Sequence, residues 1–351
     1  MTLKLHRMQF PREVVVGRGT LELVSDICKR LGFSRTAFVV TGEKTVEIAG
    51  RRVMDLLEDA GMKVGHILVS SPTLWNVRAV EIKIKKHKPQ LVLGIGGGAK
   101  IDAAKLSSAR CGIPFFSIPT TASHDGIASP LASIKGLARP FSVMAQSPMA
   151  IIADTDVIIK SAQRLTASGC GDVIAKVTAV RDWRLAHKVK GEYYGEYAAS
   201  LALMGAKLVM ENSDLIKPGD EEGLRVLLEA LISCGVAMAI AGSSRPGSGA
   251  EHMFSHALDS IASKSALHGE KCGIGTIMMA YLYGVDWKHI RDKLNSVGAP
   301  TTAEELGIES ADVVQALIKA REVRPERYTI LQEKTLDENS ARKIAAATGV
   351  I

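Results

Sequence analysis

An N-terminal α/β domain with a parallel, Rossmann-like sheet, followed by an all-α domain, is the fold class this sequence predicts. Three observations carry it. The chain has 351 residues, more than one hydrophobic core usually fills, so two domains are expected. Up to about residue 158, short apolar runs alternate with amphipathic stretches of helix length. Beyond that point helical periodicity dominates and strand signals fade. The expected domains are therefore residues 1–158 and 159–351, with the boundary between about Asp154 and Leu165.

The first half supplies its elements in order. Residues 37–40 (AFVV) read as a strand running into Thr41-Gly42, with a helix to about Ala60. Residues 64–69 are the next strand, followed by a helix over 76–87. Residues 91–95 (LVLGI) lead into glycines and a helix to about Arg110, and 114–118 form a fourth strand. Strands separated by helices of this length imply β-α-β units and a doubly wound parallel sheet. In the second half, residues 198–211 and 224–241 are helical. The latter is the most apolar stretch. Arg225, Glu229, Ser233 and Gly235 interrupt it, so it reads as a buried helix, shorter and more polar than a membrane span. Residues 242–250 (GSSRPGSGA) break the helices just before a histidine cluster and read as an active-site loop.

Composition narrows the class. Apolar residues make up 46% and charged residues 23%, the balance of a globular chain with a sizeable core. The five cysteines are scattered without a C-x-x-C pair, which fits thiols in a reducing compartment better than a disulfide framework. The opening residues MTLKLHRMQF lack the apolar run of a signal peptide, so a cytoplasmic location without membrane insertion is expected. Net charge is +7, but Lys and Arg are spread along the chain with few aromatics beside them, which argues against a nucleic-acid partner. The run from Lys83 to Lys88 reads as one solvated helix face. A modest positive field favours anionic small molecules, dinucleotides among them.

Two loops point to a cofactor. Residues 91–102 (LVLGIGGGAKID) combine a buried strand, three consecutive glycines and a helix start. Glycines let backbone approach a pyrophosphate, and a helix N-terminus offers free N–H groups and partial positive charge. The spacing is not G-x-G-x-x-G, because residue 101 is Ile. Residues 119–126 (PTTASHDG) follow the next strand, so a glycine loop and a hydroxyl-rich loop reach the same sheet edge. Thr120, Thr121 and Ser123 could bond a cofactor, and Asp125 a substrate hydroxyl; turn chemistry alone is the bland alternative.

Three features of the second half point to a metal. Residues 169–172 (GCGD) place Asp172 at what reads as a helix start, where an N-cap is the structural alternative. His252 and His256 form H-x-x-x-H, which puts both imidazoles on one helix face. His268 follows in residues 267–270 (LHGE). A carboxylate with two imidazoles suits zinc and leaves a position for substrate. Spacing does not decide which two histidines bind, or whether Asp172 joins them.

The motifs GGGAKID, PTTASHDGIASP, GCGDVIAK, GAEH with His256, and LHGE occur in this order. Together they resemble the iron-containing alcohol dehydrogenase and dehydroquinate synthase-like superfamily over residues 14–283. Within it the chain is most similar to an archaeal branch acting on sn-glycerol 1-phosphate, with polyol dehydrogenases as near relatives. The resemblance implies a dinucleotide-binding first domain and a helical domain that binds metal and substrate. It implies Asp172, His252 and His268 as zinc ligands. For NAD(H) or NADP(H) it implies Gly97, Gly98, Ala99, Lys100, Ile101 and Asp102, then Thr120, Thr121, Ala122 and Ser123, with Ser129 as a further contact. Residues 41–45 match a segment near the adenosine half. Asp125, His256 and Asp172 match substrate positions, with Asp125 and His256 as the catalytic candidates: His256 orients substrate or relays a proton, and Asp125 fixes a hydroxyl.

The implied reaction is reversible reduction of dihydroxyacetone phosphate to sn-glycerol 1-phosphate, the backbone of archaeal membrane lipids, by a homo-oligomer. A polyol dehydrogenase acting on unphosphorylated substrate is the alternative, and a nucleotide- or nucleic-acid-binding protein without turnover a more distant one. Two departures matter. Iron-binding members carry a histidine four residues after the aspartate, where this chain has Lys176, which favours a three-ligand zinc site. Dehydroquinate synthases use glutamate where this chain has Asp172. The cations Arg245, Lys264, Lys271, Lys135 and Arg139 read as solvated surface charges, none assigned to phosphate.

Overall fold

Apolar runs without polar alternation must be covered on both faces, and that is how the strands of the first unit are used. The computed structural model describes residues 6, 8–135, 140–264 and 266–351. Residues 1–161 form one compact unit and 162–351 another. In the first, six strands make one sheet in the order β1-β8-β5-β4-β2-β3. They are β1 (Glu13–Gly17), β2 (Thr36–Thr41), β3 (Lys63–Leu68), β4 (Leu91–Gly96), β5 (Phe115–Pro119) and β8 (Ala150–Asp154), and every pairing is parallel. β6 (Leu131–Lys135) and β7 (Pro140–Met144) form a separate antiparallel hairpin. Every residue of β4, β5 and β8 is buried.

The order of strands places the ligand edge. From β2 the chain moves outward to β3, then crosses back to β4 and continues in the opposite direction to β5. The carboxyl ends of β2 and β4 are therefore where the winding reverses, the position at which open α/β sheets bind ligands. Register keeps the neighbouring loops level, because Gly96 at the end of β4 pairs with Pro119 at the end of β5.

The four predicted strands lie within about one residue of β2, β3, β4 and β5. β1, β8 and the hairpin were not expected. β1 (EVVVG) and β8 (AIIAD) are five-residue runs whose period distinguishes strand from helix poorly. The single helix expected after Thr41 is broken into Glu43–Thr45, a π-helical turn at Val46–Gly50, and Arg51–Asp59. In the helix Leu74–His87, Lys83, Lys85 and Lys86 are exposed around buried Ile84, and Lys88 just past its end is exposed as well.

The second unit contains only helices and turns among its described residues. Its longest helix, Glu221–Ala241, has 21 residues and is long and apolar enough to cross a membrane, which corrects the sequence reading. Two-thirds of its apolar window (67%) is buried inside the protein, as for a core helix.

Candidate active site

In the first unit the site is built mainly from backbone. β4 ends at Gly96 with φ +144°, a conformation that favours glycine, and Gly97 leads directly into the helix Gly98–Cys111. A Cβ on Gly96 would meet Lys100 Cβ and Thr45 Oγ1, each at 3.1 Å. One on Gly42 would lie 2.4 Å from Lys100 Cε. The 41–45 turn and the 96–100 loop thus touch at the switch point. Thr41 and Thr45 hydroxyls bond each other at 2.8 Å, and Gly42 N–H donates to Thr45 Oγ1 at 2.9 Å. On the β5 side, Thr120 N–H donates to Gly96 O at 3.1 Å, and the Thr121 and Ser123 hydroxyls lie 3.4 Å apart.

Side chains in this region divide into those offered outward and those spent inward. Gly97, Gly98, Ala99, Lys100, Thr121, Ser123 and Asp125 are half-buried. Thr120, Ala122 and Ser129 are buried, and Ser129 N–H donates to Asp125 O at 3.0 Å. Ile101 is fully buried, and Asp102 is 4% exposed. Asp102 accepts from Ser133 N–H at 3.0 Å and from the buried Lys105 Nζ at 3.2 Å. Lys105 also donates to Gly126 O and Leu131 O, at 2.7 and 2.6 Å. Burial pulls the Lys105 ammonium down, while Asp102 beside it opposes that. Asp102 thus anchors the hairpin to the helix. His124 was not assigned from sequence: its Nδ1 accepts from Gly126 N–H at 2.9 Å, and its Nε2 lies where a Gly98 Cβ would be, 1.6 Å away.

The second unit builds its site from side chains brought together by close-packed glycines. Asp172 lies in the last turn of the helix Gln163–Ile174, not at a helix start. The expectation failed because the glycines flanking Cys170 read as a helix break, whereas they lie inside the helix and let backbones touch. A Cβ on Gly171 would sit 2.3 Å from Gly269 O, and one on Gly269 1.7 Å from Ser168 O. That approach sets the start of the helix His268–Leu282 against Asp172. Gly275 does the same one helix over, where a Cβ would lie 3.0 Å from Glu251 O on the helix Ala250–Ile261.

His252 Nε2 is consequently 3.6 Å from Asp172 Oδ1, and the His252 and His268 rings are 5.0 Å apart. The His256 ring is 6.1 Å from that of His268. Cys272, one turn after His268, joins the cluster: the donor atoms of His252, His268 and Cys272 all lie within 4.8 Å of one another. Lys176 Nζ is 2.7 Å from Asp172 Oδ1, with both groups buried. His252 is oriented from behind by Glu251, whose Oε1 is 2.8 Å from Nδ1. Glu251 in turn accepts from Thr178 Oγ1 at 2.7 Å and Gly249 N–H at 2.6 Å. A carboxylate behind an imidazole is the usual support of a metal-ligating histidine. Oxygen, nitrogen and sulfur donors grouped in this way fit a zinc ion.

The electrostatics follow from that crowding. Burial alone would raise the Asp172 carboxyl, but Lys176, His252 and His268 hold it well below the usual range. Burial pulls His252 down, yet Cys272, Asp172 and Glu251 outweigh it and hold this imidazole well above its ordinary value. His268 goes the opposite way, lowered by burial and by the neighbouring His252. His256 is lowered to about 3 by burial, then by Arg324, His252, Lys271 and Arg327, and it stays neutral. Asp182 supports the same helix start, accepting from Ala250 N–H and Tyr283 OH, both at 2.6 Å.

Sequence reasoning missed Cys272, the role of Glu251 and the cations near His256. It named Arg245 and Lys271 as solvated charges, and the structure corrects both. Arg245 is 5% exposed and ion-paired with Glu192, and Lys271 is 4% exposed and paired with Asp259. Lys264 and Lys135 are exposed, and Arg139 lies outside the described residues.

Known proteins resemble this chain both in part and over its whole length. A family model described as iron-containing alcohol dehydrogenase matches residues 15–162. The glycerol-1-phosphate dehydrogenase [NAD(P)+] of Pyrococcus furiosus is 52% identical over 347 residues, covering 99% of this chain and 100% of the relative. That of Methanosarcina mazei is 52% identical over 344 residues, covering 98% and 96%. Among solved structures, glycerol dehydrogenase from Schizosaccharomyces pombe aligns with TM-score 0.82 at 21% identity, covering 98% of this chain and 90% of that one. Maleylacetate reductase from Agrobacterium tumefaciens aligns with TM-score 0.77 at 15% identity, covering 99% and 98%. These structural likenesses show the fold.

Proposed function

This chain belongs to the glycerol-1-phosphate dehydrogenase family, and on that premise we propose that it reduces dihydroxyacetone phosphate to sn-glycerol 1-phosphate with NADH or NADPH, assisted by zinc. The observation that carries the reading is the buried His252–His268 pair with Asp172 at its edge, in a chain half identical, end to end, to NAD(P)+-linked relatives. The first unit would hold the dinucleotide on the 96–98 loop and the Thr120–Ser123 turn. The second would hold metal and substrate.

Asp172, His252 and His268 would hold the zinc, which would supply Lewis-acid polarisation of the ketone. The chain's own residues do the rest. Glu251 fixes the His252 tautomer by holding Nδ1, leaving Nε2 as the donor atom. Lys176 balances the Asp172 charge where both groups are buried. Free N–H groups at the start of the helix Gly98–Cys111 suit a pyrophosphate. His256, kept neutral, orients substrate by hydrogen bonding or passes a proton between its ring nitrogens rather than donating as an imidazolium. Asp125 is assigned a substrate hydroxyl. A cytoplasmic homo-oligomer that supplies the glycerophosphate backbone of archaeal membrane lipids completes the reading.

The test is oxidation of NADH and NADPH with dihydroxyacetone phosphate beside dihydroxyacetone, with the configuration of the product determined. Turnover that requires the phosphate and gives the sn-1 product supports the proposal. Turnover on the unphosphorylated ketone alone would assign a polyol dehydrogenase instead.

A further inference from the structure

The second unit carries a cationic cluster that the metal chemistry leaves unused. The helix Ser310–Val323 packs along Ala250–Ile261, the helix that presents His252 and His256. The segment after it stays on that helix. Arg327 donates to Ser248 O at 2.5 Å and to Ser244 Oγ at 2.7 Å, Thr329 Oγ1 lies 4.0 Å from Met253 Sδ, and Ile330 N–H donates to Asp182 Oδ1 at 2.7 Å. Arg324, at the end of Ser310–Val323, is half-buried; its carbonyl accepts from Arg327 N–H at 2.9 Å, and its guanidinium makes no hydrogen bond or ion pair among the described residues. The neighbouring Arg245 and Lys271 are neutralised by Glu192 and Asp259. Arg324 and Arg327 are not neutralised in this way. Glu326 is the acidic group acting on Arg324, and Glu192 and Glu251 are those acting on Arg327.

We propose that Arg324, with Arg327 behind it and His256 beside it, binds the phosphate group of the substrate. Two guanidinium groups withdrawn from water beside each other repel, and the arrangement is repaid when a dianion sits between them. The charges acting on His256 are Arg324 first, then His252, Lys271 and Arg327, and the His256 ring lies 6.1 Å from that of the candidate ligand His268. Substrate geometry asks for that spacing. In dihydroxyacetone phosphate one methylene and one ester oxygen separate the ketone carbon from phosphorus, so the anion seat must adjoin the metal. Arg327 is held by the 242–249 loop and is preorganised, whereas the Arg324 guanidinium has its donors uncommitted among the described residues. This inference rests on the reading given under Proposed function.

The experiment compares kcat/KM for dihydroxyacetone phosphate and for dihydroxyacetone in the zinc-loaded wild type and in Arg324→Gln, Arg324→Lys and Lys264→Gln, with inorganic phosphate as competitive inhibitor. Losing one charge-assisted bidentate contact should lower the phosphate preference roughly 30- to 100-fold in Arg324→Gln and weaken phosphate inhibition in parallel. Arg324→Lys should restore part of it, and the exposed Lys264→Gln should leave the preference at the wild-type level. A wild-type preference that survives Arg324→Gln overturns the inference while leaving the enzyme reading intact. So does a loss that falls on the KM for the nicotinamide cofactor instead. A wild type with no preference for the phosphorylated ketone overturns the enzyme reading itself.

Discussion

The two ends of this chain meet their ligand problems with different materials. In the first unit the candidate surface is peptide: Gly96 at positive φ, Gly97 and Gly98 opening a helix, and turns whose hydroxyls mostly bond one another. In the second it is side chains, held one behind another from Thr178 through Glu251 to His252. Backbone sites depend on what is missing, since any Cβ intrudes. Side-chain sites depend on what stands behind the ligand. Glycines serve both ends, but in the second unit they work at a distance, by letting helices approach until the start of His268–Leu282 meets the turn that carries Asp172.

Substitutions should separate the two ends cleanly. The largest effect is expected for His252→Ala: zinc content should fall to background and turnover by roughly 1,000-fold or more, with nucleotide binding preserved. Metal analysis beside a cofactor-fluorescence titration reads both. Glu251→Gln keeps the shape but weakens the support of His252, and zinc affinity measured by chelator competition should drop roughly 10- to 100-fold. At the other end, Gly98→Ala places a methyl against His124, which Gly126 holds in place. The KM for NADH or NADPH should rise by about tenfold, worth ~1.4 kcal/mol, with the zinc content of the wild type.

The smallest effect is on the pH dependence of stability. Burial, helped by the Glu251 charge, pushes Asp182 up to about 7. An unfolded aspartate titrates near ~3.9, so across that window the native state keeps a proton that the unfolded chain has released. The contribution is fully present below the unfolded value and is lost as pH rises through the native one. Asp182→Asn should therefore flatten the decline in thermal midpoint between about pH 5 and 7, by at most ~1.4 kcal/mol per pH unit. An unchanged slope would mean that Asp182 is ionised in the native protein.

What could be read in advance follows the same contrast. β2, β4 and β5 were legible because long buried runs end in glycine or proline, and the loops at their carboxyl ends announce themselves by residue type. β1 and β8 were not, since five-residue runs carry little period and their pairing, β8 between β1 and β5, is a long-range fact. His252, His256 and His268 were visible as a cluster. Asp172 was visible only as a carboxylate after glycines, and its place at a helix end depends on Gly171 meeting Gly269 across the unit. Asp102 looked like part of a phosphate loop, yet its carboxylate is committed to Lys105 and Ser133. Cys272, Arg324 and Arg327 carried no motif, and only helix packing brings them to the histidines.

The most direct test of the central claim is to strip the protein with a chelator, then titrate zinc back while following both metal content and NADH or NADPH oxidation with dihydroxyacetone phosphate. The account predicts that one zinc per chain returns and that turnover rises in proportion to it. Turnover that persists in the metal-free protein, or zinc that binds without restoring it, would contradict the account.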